Sequence, residues 1–219
     1  MSDKNILFVT KVGSHLWKMN NENSDDDFFV CYAMKSSDML IGKREQVTVQ
    51  KITDGKDVTT FEIGHIVNEA LKNNFNFIVG VMSDLIIKDW EHFNVFKHLT
   101  RINLSKLCYN SIHGLAIHNY EKYITLEKDH TQKKLNQIAR IVKMGITMLD
   151  EGIIKFEKID DNTKKDVEAL VKDLDSAYDN SRLPEKPENE SKMYEFLLKI
   201  RIENLIRERK ELVNNGKNQ

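Results

Sequence analysis

Three aspartates follow a serine in Ser24-Asp25-Asp26-Asp27, directly before an apolar run over residues 28–32. Because side chains alternate along a strand, we expect Asp25 and Asp27 on one face and Asp26 on the other. Two carboxylates in this arrangement can share a divalent cation, and Mg²⁺ prefers carboxylate and water oxygens. The spacing therefore predicts a metal site, although a solvated acidic turn has the same composition.

Gly13-Ser14 lies upstream, where an apolar run over residues 6–9 gives way to a polar loop. A strand that turns into a helix leaves free backbone N–H groups at the turn, and these suit a phosphate. A phosphate-binding turn followed by paired carboxylates describes a site for a metal-bound nucleoside triphosphate (NTP). A solvated turn is the weaker explanation once both features are considered together.

The stretch resembles the signature of the DNA polymerase β-like nucleotidyltransferases, a Gly-Ser pair followed by Ser or Thr and then Asp-x-Asp. The closer resemblance is to small predicted nucleotidyltransferases that include the RNA-ligase-associated proteins of phages and bacteria. The residues that match their pattern are Gly13, Ser14, Ser24, Asp25 and Asp27. Lys18 stands where those proteins carry a glycine.

The resemblance implies metal-dependent transfer of a nucleoside monophosphate (NMP) from an NTP to a hydroxyl group, with release of pyrophosphate. In such chemistry two Mg²⁺ ions activate the attacking oxygen and neutralise the leaving oxygen. Asp25 and Asp27 would then hold both ions, while Gly13, Ser14 and Ser24 would contribute to nucleotide binding. A third carboxylate is still needed for the ion that activates the acceptor.

Asp57 is the candidate for this third carboxylate, in a segment that resembles D-x-x-x-Y-E-L in the same family. An amphipathic pattern runs to residue 71, and the capping-box spacing of Thr59 and Glu62 predicts that a helix begins just after Asp57. An aspartate at a helix start can also simply stabilise the helix dipole. In that case Asp54 or a later acid would be the third ligand.

Lys134 and Arg140 belong to a predicted helix over residues 133–156. The segment resembles K-K-x-x-H-x-x-R-x-x-x-x-G in the family, with Gln137 in place of the histidine. The resemblance implies that Lys134 and Arg140 meet the triphosphate across a cleft. A charged helix face is by itself more typical of exposure to solvent.

Periodicity predicts an α+β protein. A catalytic domain over residues 1–90 would contain a small mixed sheet with flanking helices, and residues 91–219 would form a helical domain. Strands are predicted over 4–12, 26–33 and 47–53, a short helix over 14–19, and either a strand or a helix start over 77–82. Lys43-Arg44 falls in a polar loop that could reach the phosphates or simply be solvated. Gly114, in the middle of a predicted helix, indicates close packing between helices.

Composition adds limits to this interpretation. The 219 residues include 33 Lys and Arg against 34 Asp and Glu, so the net charge of −1 provides no global basic field for nucleic acid. Cys31 and Cys108 are typical of reduced thiols rather than a disulfide framework, and no apolar run is long enough to span a membrane. We therefore expect a cytoplasmic location.

The identity of the acceptor and the oligomeric state remain open at this level. The family's association with RNA ligases suggests an RNA end, such as that of a tRNA, as the acceptor. Related enzymes modify proteins or small molecules, as in toxins. A non-catalytic nucleotide-binding protein is the alternative from another class. The departures from the family pattern favour it: Lys18 replaces a glycine, Val79 a glutamate and Gln137 a histidine. The intact Asp25 and Asp27 argue against it.

Overall fold

The computed structural model describes residues 5–22, 24–43, 47–53 and 55–216 of the chain. Its strands are β1 (Asn5–Lys11), β2 (Asp26–Ala33), β3 (Thr48–Thr53), β4 (Lys56–Glu62) and β5 (Ile86–Lys88). Within these residues they form one mixed sheet in the order β3-β4-β2-β1-β5. β2 and β4 are parallel, whereas β1–β2, β1–β5 and β3–β4 are antiparallel. Because parallel strands begin at the same edge, the first residues of β2 and β4 lie side by side.

The helices are α1 (Gly13–Leu16), α2 (Ser36–Leu40), α3 (Ile63–Leu71), α4 (Phe75–Met82), α5 (Phe93–Ile102), α6 (Leu107–Thr125), α7 (Gln132–Glu151), α8 (Lys164–Asn180) and α9 (Glu190–Gly216). A short 3₁₀ turn (Glu127–Asp129) separates α6 from α7. A mixed sheet with flanking helices, followed by long helices, confirms the predicted α+β class. None of the helices in the described part of the chain is long and apolar enough to cross a membrane.

The predicted helix start at Asp57 is wrong. Asp57 and Thr59 lie in β4, and α3 begins only at Ile63. Glu62 is the N-cap of α3, and its carboxylate accepts a hydrogen bond of 2.7 Å from the Gly64 N–H. The residues before it pair with β2 on one side and β3 on the other, and these ladders satisfy the backbone groups that a helix would use. Pairing with neighbouring strands therefore overrides the local helical pattern.

The remaining predicted boundaries agree more closely with the structure. The strand over 26–33 has the predicted bounds, and the open segment 77–82 lies within α4. Helix α7 ends at Glu151, earlier than predicted, because Gly152 adopts a φ of 68° in the left-handed region that terminates helices. At the start of α8, Thr163 and Asp166 form a capping box.

Two buried clusters hold these elements together. The sheet-side cluster includes Phe8, Phe29, Ile63, Phe96 and Ile200, from β1, β2, α3, α5 and α9. The helical cluster includes Trp17, Ile78, Ile112, Ile138 and Leu174, from the end of α1, α4, α6, α7 and α8. The C-terminal helix α9 thus packs with the sheet, although most of the second half of the chain builds the helical cluster. The domain boundary near residue 90 stays a prediction.

Close packing among the long helices depends on Gly145 in α7. A Cβ at this position would lie 2.8 Å from the side chain of Ile112 and 3.0 Å from that of Leu174. At Gly114, by contrast, an added Cβ has nothing within 4 Å. The prediction of close packing at Gly114 is therefore wrong. The close approach of the helices is instead at Gly145, in α7.

The two cysteines are free and buried. Burial raises the pKa of the Cys31 thiol well above its ordinary value, and it raises the pKa of Cys108 to about 12. Both thiols are therefore protonated and poorly nucleophilic at neutral pH. The expectation of reduced thiols stays a prediction.

Candidate active site

The turn between β1 and α1 presses the backbone of Gly13 against the carboxylate of Asp27. Gly13 has a φ of 65°, in the left-handed region that glycine adopts without a steric penalty. A Cβ on Gly13 would lie 1.8 Å from Asp27 Oδ2 and 2.7 Å from its Cγ. The Val12 N–H donates a 2.8 Å hydrogen bond to the Asp27 carbonyl, which ties the turn to β2. Glycine is therefore required by backbone conformation and by space.

Asp27 and Asp57 are directly paired in the parallel ladder of β2 and β4. Neighbouring strands lie about 4.8 Å apart and paired side chains share a face, so the two carboxylates are neighbours. Asp25 immediately precedes β2, and the Asp26 N–H donates a 2.9 Å hydrogen bond to the Gly55 carbonyl in the β3–β4 turn. The structure therefore brings Asp25, Asp27 and Asp57 to one edge of the sheet.

The charge state of Asp27 reflects this crowding. Burial raises the pKa of Asp27, and the carboxylates of Asp57 and Asp25 raise it further. Arg140 and His15 act in the opposite direction without cancelling the rise. An ionised Asp27 is thus held at a cost in free energy that a bound cation would offset.

Asp57 has a hydrogen-bond partner in the edge strand β3. Gln50 Nε2 donates a 2.7 Å hydrogen bond to Asp57 Oδ2, and the Thr59 hydroxyl lies 3.5 Å from Oδ1. Sequence reasoning did not single out Gln50, and only the antiparallel pairing of β3 with β4 reveals it. The alternative acid Asp54 and the loop residue Arg44 lie outside the described residues.

Asp26 has cationic partners of its own. Lys11 Nζ lies 2.6 Å from Asp26 Oδ1, and His15 Nε2 lies 3.2 Å from the same oxygen. The hydrogen bond from Lys11 is the main cause that lowers the pKa of Asp26. Sequence reasoning missed Lys11 and His15, and the antiparallel register that sets Lys11 opposite Phe28 is the signal that could have revealed Lys11.

Arg140 of α7 is a half-buried cation whose charge acts on Asp27. Burial lowers the pKa of Arg140 to about 10, and the Asp27 carboxylate opposes that shift. The guanidinium carbon lies 5.3 Å from the centroid of the Trp17 ring, within the range of a cation–π contact. The buried Nε has no hydrogen-bond partner among the described residues. A guanidinium with an unused donor beside the acidic edge is suited to an anionic ligand.

The structure does not bring Lys134 to the carboxylates. Its ammonium group lies 3.4 Å from Asn119 Oδ1 and 3.8 Å from the Asp129 carboxylate, on α6 and the 3₁₀ turn. Lys134 and Arg140 are six residues apart on α7, which leaves their side chains about 120° apart around the helix axis. They therefore face different surroundings, and the predicted role of Lys134 in nucleotide binding has no contact to support it.

The loop between Ser14 and Ser24 is short and internally bonded. The Met19 N–H donates a 2.9 Å hydrogen bond to the Ser14 carbonyl, and the Asn21 N–H donates one of 2.8 Å to Ser24 Oγ. Lys18 has a φ of 55°, in the left-handed region. This conformation explains why the family motif carries a glycine at position 18. Lysine nevertheless adopts it in this chain.

The acidic edge has the donor type and charge that suit Mg²⁺, because three carboxylates lie along it and a cation would offset the burial and repulsion that raise the pKa of Asp27. Even so, within the described part of the chain no three Asp, Glu, His or Cys side chains are close enough to form a ready metal centre. A bound ion would therefore have to draw the carboxylates together.

Comparison with known proteins finds one matching family and one similar archaeal protein. A sequence model of the RNA repair pathway DNA polymerase beta family (RlaP) matches residues 1–192. An uncharacterized protein of Methanocaldococcus jannaschii is 24% identical over 221 residues, which cover 85% of this chain and 90% of that protein. The family match contains every candidate site residue from Gly13 to Arg140 and ends at the start of α9.

Proposed function

Because the chain belongs to the RNA repair pathway DNA polymerase beta family, we propose that it transfers an NMP from an NTP to a hydroxyl acceptor. The observation that carries the proposal is the pairing of Asp27 with Asp57 directly beside the Gly13 turn. This arrangement puts the acidic edge in direct contact with the Gly13 turn, which supports a metal site and a phosphate site side by side. An NTP with its cation requires both.

The residues of the site take distinct roles in this reaction. The acceptor hydroxyl gives up its proton to solvent and its oxygen forms a bond to the α-phosphorus, while the bond from that phosphorus to the bridging oxygen breaks and pyrophosphate leaves. Gly13 and Ser14 bind the β- and γ-phosphates through the turn. The guanidinium of Arg140, whose charge acts on Asp27, would approach the same phosphates.

Asp25, Asp27 and Asp57 would hold Mg²⁺ in this proposal. When bound, the ions would activate the attacking hydroxyl and neutralise the charge on the leaving oxygen. The protein contributes the geometry: the ladder keeps Asp57 beside Asp27, and the Gly13 turn fixes the position of the Asp27 carboxylate. A fourth carboxylate, Asp26, forms an ion pair with Lys11, which offsets its negative charge.

The acceptor we propose is the end of an RNA chain, which follows the family's description as a repair pathway. The balanced net charge of −1 means that RNA would be held by local cations rather than by a general field. Lys11 and Lys56 both lower the pKa of Asp26, so they are the local cations that we propose for contact with a backbone phosphate.

A non-catalytic nucleotide-binding protein is the second candidate, and the hydrogen bond from Gln50 to Asp57 is the observation that favours it. A carboxylate that already has a partner in its own sheet is less available to a metal ion. This protein would bind an NTP through Gly13 and Arg140 and would not turn it over.

The decisive experiment is to incubate the protein with each α-labelled NTP, Mg²⁺ and RNA ending in a 3′-hydroxyl. Label transfer to RNA is expected, and it should disappear in the double variant Asp25→Asn, Asp27→Asn. Asp26→Asn is the matched control, since Asp26 lies between them and pairs with Lys11 instead. Saturable NTP binding without transfer to RNA, protein or small hydroxyl compounds would favour the second candidate.

A further inference from the structure

Helix α9 carries apolar side chains on two opposite sides. On one side Met193, Phe196 and Ile200 are buried against the sheet-side cluster. On the other side four large apolar residues remain exposed, with exposed fractions of 44% for Tyr194, 59% for Leu198, 49% for Ile202 and 50% for Ile206. Their spacing of four residues places them in one continuous stripe, here called the outer stripe. A helix that is apolar on both sides is usually covered on both sides.

The outer stripe continues into a neighbouring apolar surface. A groove of about 560 Å³ runs beside α9, and Met39, Tyr194 and Leu198 line it. Leu40 and Ile41, at the end of α2, are 74% and 69% exposed. Contiguous apolar surface of this kind on a water-facing helix marks an interaction site.

We propose that the outer stripe binds the same stripe of a second copy of this chain, with the two α9 helices antiparallel. The two-fold axis would cross the outer side of α9 at the level of residue 200. It sets Leu198 opposite Ile202 of the second copy and Tyr194 opposite Ile206 of the second copy. Each exposed apolar residue of the stripe therefore meets another one. Such self-complementarity is what an isologous two-fold interface requires.

The charges at the ends of the stripe favour the same arrangement. Glu195 and Arg209 are exposed, and neither forms an ion pair within the described part of the chain. In the antiparallel pair, Glu195 lies within one helical turn of Arg209 of the second copy, which gives two symmetric ion pairs. A parallel pair would instead set Glu195 against Glu195 and Arg209 against Arg209. The antiparallel register is therefore the one with complementary charge.

The stripe also lies beyond the family match, which ends at residue 192. The candidate active site is built from β1, β2, β4 and α7, and none of its residues belongs to α9. Association through the outer stripe therefore leaves the residues of the proposed reaction in place. The assembly can be tested whether or not the chain transfers nucleotides.

Sedimentation equilibrium of the full chain over a wide concentration range tests the proposal. The wild type is expected to have twice the monomer mass, and Leu198→Glu with Ile202→Glu is expected to be a monomer with an unchanged circular dichroism spectrum. Glu151→Lys with Lys155→Glu is the control, because it swaps an exposed ion pair at the end of α7, outside the stripe, and should leave the dimer intact. A wild type that stays monomeric, or a dimer that survives the stripe variant, would overturn the proposal.

A charge-reversal series tests the register. Glu195→Arg should raise the dimer dissociation constant by about tenfold, because it sets two arginines together at each end of the interface. Adding Arg209→Glu should restore the wild-type constant, since the pair is then reversed but complementary. Failure of this rescue, with a folded double variant, would rule out the antiparallel pairing.

Discussion

Gly13 and Asp27 are in such close contact that a Cβ on Gly13 would lie 1.8 Å from Asp27 Oδ2. The two halves of the motif, the Gly-Ser turn and the aspartate pair, are therefore one packed unit. Any side chain at position 13 displaces the carboxylate at position 27. The phosphate-binding turn and the metal-binding edge must accordingly respond together to mutation.

Gly13→Ala should both destabilise the protein and abolish nucleotidyl transfer. The left-handed backbone alone costs about 1–2 kcal/mol for a residue with a Cβ, and the clash with Asp27 adds to it. Urea denaturation and the transfer assay measure the two effects. Gly114→Ala is the control, since nothing lies within 4 Å of its Cβ and it should stabilise helix α6 by about 1 kcal/mol. Wild-type turnover in Gly13→Ala would contradict the packed unit.

Asp27→Asn should raise the melting temperature at neutral pH. The folded-state pKa of Asp27 lies above its ordinary value of 3.8, so the ionised carboxylate destabilises the fold. That destabilisation fades as the pH falls through the folded-state pKa, and the difference between wild type and variant should shrink by about pH 4. Asp26→Asn should behave oppositely, because the pKa of Asp26 is lowered and its stabilisation is lost as the pH falls. Melting curves over a pH series decide the sign of both.

Asp57→Asn separates metal binding from hydrogen bonding. If Asp57 is a ligand, the variant should lose at least about 100-fold in turnover while unfolding changes by no more than about 1 kcal/mol. Gln50→Ala removes only the 2.7 Å hydrogen bond to Asp57 and serves as the matched control. Equal turnover in Asp57→Asn and Gln50→Ala would show that Asp57 is not a metal ligand and only supports the sheet.

Arg140 and Lys134 should differ in their effect on nucleotide binding. Arg140→Ala should raise the KM for NTP by about tenfold or more, since a charge-assisted hydrogen bond to phosphate is worth about 1.5–3 kcal/mol. Lys134→Ala should leave that KM unchanged, because Lys134 contacts Asn119 instead. Steady-state kinetics with a melting curve for each variant provide the measurement. If only Lys134→Ala raised the KM for NTP, Lys134 rather than Arg140 would be the residue that contacts the phosphates.

Lys18→Gly should stabilise the protein by up to about 1 kcal/mol, because a glycine removes the penalty of a left-handed φ at this exposed position. Lys18→Ala keeps that penalty and should be close to neutral. Thermal unfolding of the three proteins tests this. If glycine destabilises the protein, the φ of 55° at Lys18 carries no strain.

The sequence by itself determined the motif and the fold class. Gly13-Ser14 and the aspartates at positions 25 and 27 are short-range features, and strand alternation and turn chemistry act over a few residues. The same locality explains why β2 has its predicted bounds and why Thr163 and Asp166 form a capping box at the start of α8. The separation of Lys134 from Arg140 was also available from helix geometry, because a spacing of six residues leaves two side chains about 120° apart around the axis.

Only the tertiary structure decided which residues join that motif. Asp57 lies in a strand rather than at a helix start because β2 and β3 both pair with its segment, and no local pattern encodes those two ladders. Gln50, Lys11 and Arg140 reach the acidic edge through strand register and helix packing, which couple residues far apart in the chain. Helix α9 packs on the sheet for the same reason: burial of its inner side depends on surfaces that exist only after the sheet and α5 have assembled.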